Sequence, residues 1–520
     1  MAKETLIANQ PVAVIDIGTS ALRMLIAQVG PKTEIQYLEN LQKPVRLGRD
    51  VFTTGRISSA GLRESLSILK NYKTLLEGYG VKKVQAIATS AVREAVNREN
   101  FIDQVYVRTG IDVEILDGAE ENRLELLAVE HAIGADIALD THNCLIVEVG
   151  TGSTEIIILN QGQVEVTRTL SFGSVRLPGN ATSEETRGAN LQKLLKKNIH
   201  DIVVHAATEY KMADVDLVIA LGGDMRFAAQ QLCDKVEGRF SVIEGKAFTI
   251  FVNKISKMTP EDLVKQYGMP YDDAQMLQPA LMVYSNFLNE TSSEKIIVPI
   301  TSIRDGLLLE YAQIQSGYKR TDVGKQVINS ARHLGHKYQY DKAHASVVAS
   351  LAVKFFDLLK NEHGMGTRER LLLEVSSVLH DIGTYISPAS HHKHSSYLVN
   401  AAEIFGLRKG DKEVVSNVVR YHRKSVPRQT HEPYMSQPRN ERAVVSKLAA
   451  ILRVADALDS SHQQKIREFT LTSSRENYTI WVSPDIGDIS VERASLKLKG
   501  EMFGDIFGST ISLKQGAPPS

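Results

Sequence analysis

The sequence predicts an α/β protein built from two related lobes, followed by an all-α domain and a small α/β cap at the C-terminal end. Three observations carry this expectation. An acid-x-Gly-Thr turn between β-branched stretches occurs twice, 132 residues apart. Strand-like and helix-like segments alternate through the first 315 residues, and eleven of the fifteen histidines lie after residue 330, where strand signals are few. A chain of 520 residues exceeds what one hydrophobic core supports, and the expected boundaries are 1–133 and 134–315 for the lobes, 322–465 for the helical domain and 466–515 for the cap.

The first copy of the repeat runs Val12-Ala-Val-Ile-Asp16, then Ile17-Gly18-Thr19-Ser20, then Leu22-Arg-Met-Leu-Ile26. The second runs Cys144-Leu-Ile-Val-Glu148, then Val149-Gly150-Thr151-Gly152-Ser153-Thr154, then Ile156-Ile-Ile-Leu159. Both read as hairpins of β-branched strands around a Gly/Thr/Ser turn. Glycine lets consecutive N–H groups approach an anion from one side, hydroxyls add donors, and an acid at the strand end suits Mg²⁺ directly or through water. Two such turns, one per lobe, are arranged to hold a phosphate chain and its metal.

Between the repeats, Leu62, Leu66, Leu69, Leu75 and Leu76 make a helical stripe across Ser59–Gly78. Val84–Ala88 and Val113–Leu116 read as strands, the second leading into Asp117-Gly-Ala-Glu-Glu-Asn-Arg123. Beyond about residue 325, Ala343–Leu359 and Thr367–Leu379 carry helical spacing, and Ser425–Pro438 reads as a loop. Phe469–Ser473, Tyr478–Val482 and Ala494–Leu498 alternate like strands.

Composition narrows the function classes. Lys+Arg and Asp+Glu are equal at 61 each, so a polyanionic partner needs a local basic patch. Aromatic residues are 6% of the chain and no recognition motif accompanies them, which argues against nucleic acid as partner. Two cysteines, no apolar signal region and no bilayer-length apolar run point to a cytoplasmic protein that does not contact membrane.

The ordered motifs AVIDIGTSALRMLIA, VRLG (Val45–Gly48), ATSAVREAVN (Ala88–Asn97), DGAEENRL (Asp117–Leu124), EVGTGSTE (Glu148–Glu155), FGSVRL (Phe172–Leu177), ALGGDMR (Ala220–Arg226) and IRDGLLLE (Ile303–Glu310) resemble those of the exopolyphosphatase/guanosine-pentaphosphate phosphatase family. LHDIG, HHKHS, RYHRK and ILRVADALD continue the resemblance almost to the end of the chain. It implies actin-like lobes with ribonuclease H-like cores, as in the sugar-kinase/actin/heat-shock-protein superfamily, and Mg²⁺-dependent hydrolysis of a terminal phosphoanhydride. Glu121 matches the family's general base, and its neighbour Glu120 is not separable from it by sequence. Arg93 fits a phosphate-binding role because its fork matches two phosphoryl oxygens. Asp16 and Glu148 are the expected Mg²⁺ ligands. Gly18, Thr19, Ser20, Arg23, Gly150, Thr151, Gly152, Ser153, Thr154, Gly222 and Gly223 are the expected phosphate contacts. Substrates implied are inorganic polyphosphate or guanosine pentaphosphate, and the family implies a homodimer.

Some turn residues depart from the family's usual ones. Gly18-Thr-Ser-Ala21 stands for Gly-Ser-Asn-Ser, Glu148 for Asp, Thr151 for a glycine, and Gly223-Asp224 for Gly-Thr. If the glycine at 151 served a positive φ, a threonine there is strained. Asp224 beside a polyanion is repelled by about 4 kcal/mol at ~4 Å and an effective dielectric near 20, unless a cation such as Arg226 offsets it. These departures keep open a non-catalytic sensor of polyphosphate or nucleotide.

In the second half, His344, the adjacent His380-Asp381 and Asp456 resemble the metal set of HD-type domains. Imidazole and carboxylate together suit Mg²⁺, Mn²⁺ or Fe, so this site is a second place where phosphohydrolase chemistry can reside. His394, Arg420, His422, Arg423 and Lys424 form a basic cluster expected to contact a polyanion, with His394 and His422 also available as auxiliary ligands.

Overall fold

The computed structural model describes residues 10–30, 34–174, 189–233, 238–315, 322–474 and 477–518. They fall into two compact units, Met1–Arg320 and Thr321–Ser520. The Val175–Leu177 end of the FGSVRL stretch lies outside the described residues.

The first unit holds two sheets. Strands β1 (Pro11–Ile17), β2 (Ala21–Val29), β3 (Ile35–Pro44), β4 (Lys83–Ala88) and β5 (Val113–Ile115) are ordered β3-β2-β1-β4-β5. β1–β2–β3 is an antiparallel meander, whereas β4 and β5 join in parallel. β6 (Asn143–Val149), β7 (Thr154–Asn160), β8 (Gln163–Leu170), β9 (Leu217–Leu221), β10 (Phe240–Glu244) and β11 (Lys295–Pro299) form the other sheet, ordered β10-β11-β9-β6-β7-β8. With β10 set aside the two orders are the same, and β9 and β11 continue in parallel from β6 as β4 and β5 do from β1. The repeat in sequence is thus a repeat of topology.

The central strand β1 is buried on both faces, which is why its residues up to Asp16 are apolar rather than alternating. Ala13, Ile15 and Ile17 belong to one cluster with Leu66, Leu69 and Tyr72 of the helix Ser59–Gly78. Val12 and Val14 face the other way, against Leu124 of the helix Gly118–Ile133 and Leu307 and Leu308 of the helix Ile303–Gln315. This last helix follows the second sheet in sequence yet packs on the first. Its close approach depends on Gly306, where an added Cβ would lie 2.2 Å from the Leu124 carbonyl oxygen.

The second unit is helical through Asp322–Lys337, Lys342–Leu358, Thr367–Leu379, His391–Ala401, Lys409–Arg420 and Arg439–Ala457. The region read as a loop, 425–438, includes one short helical turn, Glu432–Met435. A three-stranded sheet follows, β12 (Thr470–Ser473), β13 (Asn477–Val482) and β14 (Thr510–Gln515), with β13 and β14 parallel. Its Ile480, Val482 and Leu513 join the same hydrophobic cluster as the helices. Ala494–Leu498, expected as a strand, instead lies in the helix Ser490–Lys499. Glu492 and Leu496, one turn apart, are both buried, the Asp488 carboxylate accepts from Ser490 N–H (2.9 Å), and Gly500 N–H closes the last turn on Leu496 O (2.8 Å). Hydrogen bonds at both ends and an i, i+4 buried pair outweigh a five-residue alternation.

Gly306→Ala tests the helix return. Helix propensity alone favours alanine by about 1 kcal/mol, whereas forcing a methyl group against a backbone carbonyl costs about 1–3 kcal/mol. The expected outcome is a lower urea midpoint at unchanged m-value; a midpoint equal to or above wild type contradicts this packing.

Candidate active site

The two predicted turns occupy equivalent places. In the β1–β2 hairpin Asp16 pairs with Arg23, and in the β6–β7 hairpin Glu148 pairs with Glu155, at the last rungs but one before each turn. Gly18 N–H bonds to Ala21 O (3.1 Å) and Gly150 N–H to Ser153 O (2.9 Å), so each turn is closed by the same backbone bond. Gly152 lets the second turn abut the first lobe: a Cβ there would meet Phe52 Cζ at 2.4 Å and Ser90 Oγ at 2.7 Å. Ser90 Oγ in turn lies 2.9 Å from Thr19 Oγ1. Thr151 is not among the residues of positive φ, so the strain expected there does not arise.

The turn hydroxyls are more occupied than expected. Thr19 Oγ1 is buried against Ser90, Ser153 Oγ donates to Glu155 Oε1 (2.5 Å) and Thr154 Oγ1 donates to Phe172 O (2.9 Å). They brace the turns internally. Arg23 likewise faces Asp16, its Nη1 3.4 Å from Oδ2. Gly222 has φ +101° and sits at the end of β9, where a Cβ would meet Tyr284 Oη at 3.0 Å. That phenol accepts from Val149 N–H (2.8 Å) and donates to Leu221 O (2.5 Å), stapling the ends of β6 and β9 together. Gly223 opens the next helix, Gly223–Leu232.

Arg93 and Glu121 come from different elements and meet. Asp117 caps the helix Gly118–Ile133 by accepting from Glu120 N–H (3.0 Å), which sets Glu121 in the first turn. Arg93, on the short helix Ser90–Glu94 after β4, donates through Nη1 to Glu121 Oε1 and to Leu116 O (2.8 Å). Glu121 is buried, 6% exposed. Burial pushes its carboxyl up to about 7, helped by the nearby Asp16 and Glu148 and opposed by Arg93.

The neighbour Glu120 does not share this setting. Both of its oxygens accept from Arg123, at 2.8 Å each, and Arg123 also binds Glu310 (2.5 Å) on the returning helix. Glu120 therefore serves as an anchor between helices, and its grouping with Glu121 as a catalytic residue is corrected.

Two further acids were not foreseen. Glu125 and Glu155 are buried, and burial holds both carboxyls well above the ordinary range, with Glu148 and Glu121 adding to the effect. Glu125 lies one helical turn after Glu121, and Glu155 opposite Glu148, so spacing and register contained the signal. Asp224 is also raised, to about 7, through burial and the proximity of Asp273; Arg226 and Arg23 act in the opposite direction. Close to neutral pH its charge, and the repulsion expected of it, are accordingly reduced. Arg226 and Arg304 are near enough to influence each other, and Asp16 and Arg23 also act on Arg304.

Asp16 Oδ1 is buried with no hydrogen-bond partner among the described residues, as an oxygen kept for a cation would be. Asp16 and Glu148 do not by themselves close on an ion: among the described residues, three ligand atoms within 4.8 Å occur only in the second unit. Oxygen donors that leave most of the coordination shell to water and substrate fit Mg²⁺.

In the second unit, His344, His380, Asp381 and Asp456 come together as expected. His344 Nε2 is 3.2 Å from His380 Nε2 and 3.7 Å from Asp456 Oδ1, and His380 Nε2 is 3.7 Å from Asp381 Oδ2. Burial pushes His380 down to about 4. His422 is buried beside Asp381, Nε2 to Oδ1 3.4 Å, and so is a member of this cluster rather than a solvent-facing polyanion contact. The third histidine of the His391-His-Lys-His394 run, His394, is outside it; His391, one turn earlier, takes the place, its Nε2 3.0 Å from Asp381 Oδ1. Arg420 and Arg423 are half-buried and Lys424 is exposed at the edge.

A profile of the Ppx/GppA phosphatase family matches residues 25–314, and one of Ppx/GppA phosphatase domain III matches residues 328–487. The class is therefore a phosphohydrolase acting on phosphoanhydride bonds. The chain belongs to the Ppx/GppA phosphatase family. A guanosine-5'-triphosphate,3'-diphosphate pyrophosphatase from Photobacterium profundum is 22% identical over 451 residues, 85% of this chain and 84% of that one. The crystal structure of an exopolyphosphatase from Cytophaga hutchinsonii is 24% identical with a TM-score of 0.54, covering 60% of this chain and 99% of that one. The Aquifex aeolicus Ppx/GppA family member is 23% identical with a TM-score of 0.50, over 59% and 99%. At these identities the solved structures speak to the fold alone, which is the actin-like pair of lobes.

If Glu121 is the base, kcat/KM rises with pH through about 7, where the carboxyl loses its proton. Arg93 lowers that value, so Arg93→Met shifts the rising limb to higher pH as well as reducing the rate. A limb that stays in place in Arg93→Met separates the two residues and contradicts the pairing.

Proposed function

We propose that the first unit is an exopolyphosphatase site, releasing orthophosphate from the end of inorganic polyphosphate. The observation that carries this reading is Glu121: a buried carboxyl poised near 7, oriented by Arg93, in a family of phosphoanhydride hydrolases. Glu121 takes the proton of a water as its oxygen bonds to the terminal phosphorus. The bridging P–O bond breaks, orthophosphate leaves, and the shortened chain carries away the electron pair. Mg²⁺ held by Asp16 and Glu148 would neutralise phosphoryl oxygens. Gly18 and Gly150 use their own N–H groups to close the two turns, so the anion donors are the remaining turn N–H groups, which the glycines let a phosphate approach closely. Arg93, Arg226 and Arg304 add positive charge against a polyanion in a chain whose net charge is zero.

A second reading, removal of the terminal phosphate from guanosine pentaphosphate and with it a part in the stringent response, is favoured by the Photobacterium relative that matches most of the chain. Competition between polyphosphate and the nucleotide distinguishes the two. No helix among the described residues is long and apolar enough to cross a membrane, and a cytoplasmic homodimer is the assembly consistent with the family resemblance.

The test is orthophosphate release from long-chain polyphosphate with Mg²⁺. Glu121→Gln keeps the side-chain volume and a partner for Arg93, and is expected to lower kcat by about 10²- to 10⁴-fold with the fold intact. Asp381→Ala, in the second unit, is expected to leave release mostly unchanged. Wild-type rates in Glu121→Gln remove Glu121 as the base; polyphosphate binding without release by wild type makes the first unit a sensor.

A further inference from the structure

The motif Val45-Arg46-Leu47-Gly48 is moulded to the first turn. Val45 N–H donates to Ser20 O (2.9 Å) and Gly48 N–H to Thr19 O (2.9 Å). Val45 and Leu47 are buried in the cluster under β1. Gly48 lets the backbone press in, because a Cβ there would lie 2.1 Å from Thr19 Cγ2. Between two buried neighbours Arg46 is turned outward, its side chain 65% exposed.

That guanidinium reaches across to the second lobe. Arg46 Nη2 lies 3.2 Å from Asp272 Oδ2 and 3.5 Å from Oδ1, and the Asp272 side chain is itself 50% exposed. Asp272 stands in the first turn of the helix Tyr271–Asn289. The same helix carries Tyr284, whose phenol holds Val149 N–H and Leu221 O beside the second turn. The next residue, Asp273, has its carboxyl raised by burial, with Arg23 of the first lobe acting the other way and Asp272 adding to the rise. The Arg46–Asp272 pair thus joins the support of one turn to the support of the other.

We propose that Arg46 is a contact for phosphoryl groups beyond the scissile one, held by Asp272 while the cleft is empty and released to the substrate as it enters. The proposal rests on the reading of the first unit as a polyphosphate hydrolase. An exposed ion pair is weak and screened by salt. A phosphate chain presents several charges and pairs of oxygens that match the guanidinium fork, so it is a stronger partner for Arg46 than one solvated carboxylate. The bland alternative is a surface arginine beside an aspartate that is there for the helix dipole.

A double-mutant cycle separates the two. Binding of inorganic tripolyphosphate with Mg²⁺ is measured by calorimetry on the full chain carrying Glu121→Gln, with orthophosphate as the control ligand. Arg46→Gln is expected to weaken tripolyphosphate about five- to twentyfold and to leave orthophosphate unchanged. Asp272→Asn is expected to tighten tripolyphosphate about two- to fivefold, and to do nothing once Arg46→Gln is present. Unchanged affinity in Arg46→Gln overturns the contact. Equal tightening by Asp272→Asn in both backgrounds makes Asp272 a general repelling charge and overturns the exchange, as does weakening by Asp272→Asn. Wild-type hydrolysis by Glu121→Gln would remove the base while the cycle is read from KM values instead; a flat cycle with binding intact removes the role of Arg46 and leaves the base.

Discussion

The first unit is organised around one buried ion pair, Arg93 with Glu121. A carboxylate without that guanidinium would be costly to bury, and a guanidinium without the carboxylate equally so. Their meeting requires that β4 and β5 lie side by side, because Arg93 follows the first and Glu121 the second. It also requires the Asp117 cap, which starts the helix where Glu121 falls in its first turn, near the positive end of the helix dipole. Arg123 and Glu310 then keep Glu120 occupied, so only one of two adjacent glutamates is available for chemistry. The returning helix that carries Glu310 fits only because position 306 has no side chain.

Around this pair the duplicated hairpins bring an excess of acid. Asp16, Glu121, Glu125, Glu148 and Glu155 act on one another strongly enough that burial keeps several of them well above the ordinary carboxylate range. An arrangement of that kind is unfavourable without cations, and it gives physical meaning to the orphaned Asp16 Oδ1. The residues that depart from the family's usual turns are accommodated by the same setting. Thr151 has an ordinary backbone conformation, and Asp224 is held near 7 rather than fully charged.

Much of this was legible in the sequence, and what was not has identifiable causes. The duplicated turns and the alternation of strands with helices followed from apolar runs and glycines, which are local signals. Glu120 and Glu121 looked alike because adjacent helical residues differ only in direction, about 100° apart around the axis, and direction is decided by Arg123 and Arg93. His391 and His394 were confused for a related reason: one turn apart on one helix, they are told apart only by what Asp381 can reach. Tyr284 was invisible because its phenol acts on β6 and β9 from a helix without a motif. The hydroxyls of Thr19, Ser153 and Thr154 were read as anion donors, yet each is engaged within the protein, Ser153 by the nearby Glu155 and the other two by Ser90 and Phe172, which are distant in sequence.

The most direct test of the account is the titration of the Glu121 carboxyl itself, followed by infrared difference spectroscopy with Glu121→Gln as the reference that isolates its band. The account predicts a midpoint close to 7 in the cation-free wild-type protein, because burial outweighs Arg93. A midpoint near the ordinary glutamate value of about 4.3 would mean that burial does not outweigh Arg93 and that the carboxyl is already ionised well below working pH. It would contradict Glu121 as a base poised near neutrality, the claim on which the account of the first unit rests.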